Sequence, residues 1–146
     1  MAQTAYSAKV YSGKWKLMWF PKTASATLTA GVLVDLTSGY VAQAGTGSGG
    51  NGQPLVGIYG GATYASSDAT TVLVPVYVPA EPHAYALITV GTGSLSATAS
   101  FGQPYDVDAN SNVTVSTSTH KCLTCVGYVS ATQGIFKLES IHPIVA

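Results

Sequence analysis

The chain has 146 residues, of which 47% are hydrophobic and only 8% charged; it carries six lysines, no arginine and a formal net charge of zero. Length and apolar content suffice for one domain with its own core, but ordinary soluble domains carry about 25% charged residues, so this surface must be built from Ser, Thr, Gly, Ala and apolar side chains. Such a surface suits a protein covered by copies of itself or by a large partner; the lack of Arg argues against nucleic acid, and apolar runs of strand length fall short of the roughly 18 residues of a membrane-spanning helix.

The first residues, MAQTAYSAKVYSGK, lack the continuous apolar core of a signal peptide, which leads us to expect a protein made and used in a cytosol, or released by lysis. Charge is unevenly placed. Lys9, Lys14, Lys16 and Lys22 precede the first acid, Asp35, and no lysine occurs between residues 23 and 120. A basic head that docks on an acidic protein surface fits this pattern, because steering by complementary charge needs only a few cations. We therefore divide the chain into an N-terminal arm with the first strand, residues 1–22, and a β domain, residues 23–146.

Strand signals follow one another along the chain. Residues 14–20 alternate and stop at Pro21; residues 32–36 run into a Thr-Ser-Gly turn; residues 55–59, 71–78 (TVLVPVYV) and 85–90 (YALITV) are β-branched or aromatic runs punctuated by Gly, Pro and Ser. That is the pattern of a small antiparallel barrel or sandwich. Residues 23–30 are the one candidate for a helical turn, too short and Thr-rich to stand as a helix. The two halves of the chain also resemble each other. Residues 31–36 (GVLVDL) match 102–107 (GQPYDV), residues 55–59 (LVGIY) match 125–129 (CVGYV), and residues 73–79 lie opposite 137–143. The expectation is an all-β fold of two weakly similar halves, each covering a face of the other.

Several motifs invite chemistry and are outweighed by plainer readings. Gly45-x-Gly47-x-x-Gly50 copies a dinucleotide fingerprint, but the β-rich run after it offers no helix N-terminus for a phosphate; a mobile surface loop is the better account. Cys122 and Cys125, with His120 before them, lack a second spaced pair for zinc, and positions i and i+3 of a strand face opposite ways, so they read as buried packing residues. Asp106-Val-Asp108-Ala-Asn110-Ser-Asn112 imitates half of a calcium loop, yet Ser111 replaces the turn glycine and Thr117 the closing Glu; Asp and Asn at a strand end more often make a turn. No catalytic constellation stands out. We expect no catalytic residues, no metal and no cofactor.

The motifs Ala30-Gly31 through Val34-Asp35-Leu36 with its Gly39 turn, Pro54 through Gly57 and Tyr59, Gly102 through Tyr105-Asp106-Val107, and Cys125-Val126-Gly127-Tyr128 resemble the small head decoration, or cement, proteins of tailed bacteriophages. The resemblance spans about residues 30–143. It implies an all-β fold, barrel or tulip-like, with an extended N-terminal arm; a non-enzymatic homotrimer; and a place in the virion on the outer capsid surface, bound to the major capsid protein. The contact candidates are Lys9, Tyr11, Lys14, Trp15, Lys16 and Trp19, which join nearly all of the early positive charge to both tryptophans. A second reading of the same stretch is an ordinary edge strand with Trp15, Leu17 and Trp19 inward and the lysines in solvent. Two other functions stay open: another virion component, such as a tail or tube protein, and a carbohydrate-binding or adhesin-like β module.

Overall fold

The computed structural model describes residues 8–23, 27–37, 39–45, 55–64, 72–108, 111–116, 118 and 121–139. Among these there is no helix and there are eleven strands: β1 (Ala8–Ser12), β2 (Trp15–Pro21), β3 (Leu33–Thr37), β4 (Tyr40–Gln43), β5 (Leu55–Tyr59), β6 (Leu73–Pro79), β7 (Tyr85–Thr92), β8 (Pro104–Val107), β9 (Val113–Thr114), β10 (Leu123–Ser130) and β11 (Gln133–Leu138). Alternation does what it should on the longer ones. Val74, Val76 and Val78 of β6, Ala86, Ile88 and Val90 of β7, and Phe136 and Leu138 of β11 are buried, while their neighbours face outward or are half-buried.

The first sheet runs β2-β6-β5-β3-β4. It curls until its ends meet: Lys22 forms a parallel bridge with Val41, and the Thr23 N–H donates to the Val41 carbonyl at 2.9 Å. The result is a closed five-stranded barrel. The second sheet runs β1-β7-β11-β10-β8-β9, and β9 also pairs in parallel with β7 through Val90 and Val113. Strands β7, β11, β10, β8 and β9 therefore close a ring as well, with β1 added outside it. The fold is all-β, as its composition and alternation imply.

Replacing β2, β3, β4, β5 and β6 by β7, β8, β9, β10 and β11 turns the first strand order into the second, including the parallel closure. The side chains follow. Lys22, which closes the first ring, stands where Val90 closes the second, and Met18 and Phe20 stand where Ala86 and Ile88 do. Asp35 and Asp106 are both buried, on strands paired to Ala42 and Thr114 respectively. The first matched segment of the sequence echo is thus in register. The other two are not. Ile58 pairs with Leu33 and Tyr77 as Thr124 pairs with Pro104 and Lys137, so Ile58 corresponds to Thr124, not to Tyr128. Likewise β6 corresponds to β11, which ends at Leu138, and not to residues 137–143.

Two apolar clusters fill the molecule. One lies in the first ring around Leu28, Val32, Val34, Val41, Val56 and Tyr59; the other fills the second ring and the junction, and takes in Leu33, Leu55 and Ile58 from the first. β5 sits between them, which is why all five of its residues are buried. β1 ties the rings together: Ala8 is fully buried in the junction cluster and its N–H donates to the Gly31 carbonyl at 2.8 Å. Residues 8–21, expected as arm and first strand, are therefore divided between the two sheets.

Candidate functional site

The outer face of β2 and β6 follows from how the two strands pair. β2 pairs with β6 so that Trp15 lies opposite Pro79 and Trp19 opposite Pro75. Both are non-bonded positions of the antiparallel ladder, so the missing proline N–H takes no bond from β2. The neighbouring bonds agree: the Ala80 N–H donates to the Lys14 carbonyl and the Lys22 N–H to the Val72 carbonyl, each at 2.9 Å. Side-chain parity follows the pairing. Met18 and Phe20 pack on the first-ring core against the valines of β6, while Leu17 and Trp19 face solvent beside Leu73 and Tyr77. Trp19 is 59% exposed and Leu73 57% exposed. Lys16, in the same series as Met18, is exposed, as is Lys14, whose backbone N–H donates to the Glu81 carboxylate at 2.7 Å.

The tryptophans thus divide, and neither reading of the stretch covers both. Trp15 packs on the junction cluster, and its indole N–H donates to the Ser12 carbonyl at 3.0 Å; it holds the β1–β2 turn. Trp19 makes no such commitment. The series of Trp15, Leu17 and Trp19 is turned outward from the first barrel, and only Trp15 finds the second barrel to cover it.

Where the barrels part, a cleft of about 710 Å³ opens, lined by Lys9, Trp15, Tyr59, Gly60 and Tyr77 among others. A side chain at Gly60 would press on the Tyr77 ring (2.9 Å from a Cβ) and on Leu17 (3.2 Å), so this glycine permits the close approach of the two tyrosine-bearing segments. Burial, and then the neighbouring Tyr64, raise the Tyr59 phenol above its usual value, and its hydroxyl donates to the Ala62 carbonyl at 2.7 Å. Among the described residues the lining holds aromatic faces and one cation. Such a wall can stack and bind. Of the six contact candidates, Lys9 and Trp15 line the cleft. Lys14, Lys16 and Trp19 lie on β2 or beside it, and Tyr11 is exposed on β1.

The remaining motifs have structural uses. Cys122 and Cys125 are both free and buried in the junction cluster. Cys122 lies just before β10, after Lys121 at φ 52°, so the strand parity that set the two residues on opposite faces does not extend to it. Burial, and then the charge of Asp106, push the Cys122 thiol up to about 12, and burial raises Cys125. Asp106 accepts the Lys121 N–H at 2.8 Å. Asp108 accepts the Asn112 N–H at 3.1 Å and the Thr92 hydroxyl at 3.3 Å, and Ser111 takes the turn with φ 63°. This is an Asx-type turn joining β8 to β9. Among the described residues no three His, Cys, Asp or Glu side chains gather. His120, Asn110, Thr117 and the glycine run after Gly45 lie outside the described residues, but the run leads into the strand β5 and not into a helix.

The sequence reading missed Leu17, Tyr59, Leu73 and Tyr77. No local pattern marked them, because the outward side of β2 was set by its pairing with β6. No protein-family model matches the chain, and no curated protein matches it in sequence.

Proposed function

We propose that this chain is a non-enzymatic structural protein of a phage virion that attaches to the outer surface of the capsid and stabilises the shell. The single observation that carries the reading is the exposed apolar strip of Leu17, Trp19, Leu73 and Tyr77, set on rigid strands in a segment that also carries the exposed Lys14 and Lys16, in a chain with so little charge elsewhere. Interfaces concentrate their energy in large aromatics ringed by polar groups, and lysines at the rim guide approach to an acidic surface. The cytoplasmic origin and capsid location implied by the family resemblance belong to the same proposal.

Attachment is tested by co-sedimentation with expanded, undecorated phage capsids. Saturable binding that Trp19→Ala weakens by about tenfold or more supports the reading; absence of binding by the native chain refutes it. Point substitutions are the right tool, because removing residues 1–13 also strips β1 from the edge of β7 and Ala8 from the junction core.

A second reading has its own support. Aromatic walls in the inter-barrel cleft, together with Trp19 exposed on a strand, would suit stacking on sugar rings, as in a carbohydrate-binding or adhesin-like module. Glycan-array binding by the isolated chain, lost in Tyr77→Ala, would favour it over capsid attachment.

A further inference from the structure

We propose that the open edge of β2 is a strand-acceptor site, and that its occupant is β2 of a second copy of this chain. The inference goes beyond capsid attachment, stands independently of it, and puts a two-fold dimer in place of the homotrimer that the family resemblance implies.

The internal repeat identifies the site. In the second ring, β7 carries two neighbours along one edge: β9 in parallel near its end, at Val90 and Thr92, and β1 antiparallel along Tyr85, Ala86, Leu87 and Ile88. In the first ring the parallel closure is at Lys22 and Val41. Counting back from it, Leu17 to Phe20 correspond to Tyr85 to Ile88. Here, among the described residues, no strand pairs with β2 on the side away from β6. Among the described residues, the first barrel has no strand at the position where the second barrel holds one.

The backbone is set to accept one. Lys14 and Lys22 make their ladder bonds to the β6 side, so Lys16, Met18 and Phe20 do too, and the N–H and C=O groups of Leu17 and Trp19 point to the open edge. Between Lys16 and Pro21 there is no charge, proline or bulge, the devices by which edge strands are normally guarded.

Three features favour a second copy. The chain's own β1 is already used on β7, and an antiparallel strand is what the equivalent edge holds. Two β2 strands related by a two-fold axis at Leu17 pair antiparallel, placing Lys16 of each copy opposite Met18 and Lys14 opposite Phe20, so that no lysine meets a lysine. The same arrangement brings the exposed Leu17 and Trp19 of both copies into one apolar strip. A two-fold contact also closes on itself and does not propagate into a fibre.

The test uses the full-length chain at micromolar concentrations in sedimentation velocity, with amide hydrogen exchange. The expected result is a dimer in which the Leu17 and Trp19 amides exchange at least about tenfold more slowly than in a monomeric variant. Leu17→Lys sets two cations face to face at the axis, and Leu17→Pro removes an N–H that the β6 ladder does not use. Both should lose the dimer while keeping the circular dichroism of the fold, and Tyr128→Lys, on an exposed residue of the other barrel, should keep it. A monomeric native chain, a trimer (which one two-fold edge contact cannot close), a dimer that survives Leu17→Lys, or a dimer with rapidly exchanging Leu17 and Trp19 amides would each overturn the proposal.

Discussion

Cys122 is wholly buried beside Asp106, with its Sγ 3.7 Å from the Tyr105 carbonyl, and its thiol is pushed from the usual 9.0 up to about 12. A rise from 9.0 to about 12 lowers the thiolate fraction at pH 8 from about one in ten to about one in ten thousand. Since the thiolate is the nucleophile, Cys122 in the folded chain should react with a thiol reagent about a thousandfold more slowly than a free cysteine, before any steric shielding is counted. The same shift has a stability consequence of definite sign. The native state holds the thiol proton more tightly than the unfolded state, so the stabilisation is complete below pH 9 and is lost as pH rises from 9 towards 12. Each pH unit in that window removes roughly 1 kcal/mol, a few kcal/mol over the whole window. Urea denaturation of native and Cys122→Ala proteins should show the native chain's advantage shrinking by about 2 kcal/mol between about pH 8 and pH 10.5. All other ionisable groups are common to both proteins and cancel. A pH-independent gap, or labelling of folded protein at the rate of a free thiol, would refute the account.

Trp19→Ala should leave stability within about 0.5 kcal/mol, because it removes an exposed side chain, while reducing capsid attachment; a large fall in melting temperature would show that Trp19 belongs to the fold. Lys14→Glu with Lys16→Glu should weaken attachment steeply at low salt and little at high salt, and a salt-independent loss would count against charge steering. Phe136→Ala, at a fully buried position of the junction cluster, should cost about 3–5 kcal/mol in urea denaturation, and a cost near zero would place the junction core elsewhere. Gly57→Ala should strongly destabilise the first barrel, since a Cβ there would collide with the Tyr77 carbonyl on the neighbouring strand; retention of native stability would contradict that close approach.

Sequence by itself determined the all-β class, because the alternation of β-branched residues in β6 and β7 can bury one face only as strands. It also placed the Asp106–Asp108 turn, where short acceptor side chains next to Ser111 suffice to fold the backbone locally. It did not reveal β4 or β9: Tyr40–Gln43 and Val113–Thr114 are too short to carry a period, and each is a strand only because it closes a ring. Nor did it resolve the repeat, since the shared Val-Gly pair aligned β5 and β10 out of step, and only cross-strand pairing set Ile58 against Thr124. The sharpest division lies in β2. Met18 and Phe20 are no more apolar than Trp19 and Leu17, so composition could not choose which series faces inward. The choice was made by the partner: the ladder sets Met18 and Phe20 opposite Val76 and Val74, which are buried in the first-ring core, and Trp19 opposite Pro75, which leaves Trp19 in solvent.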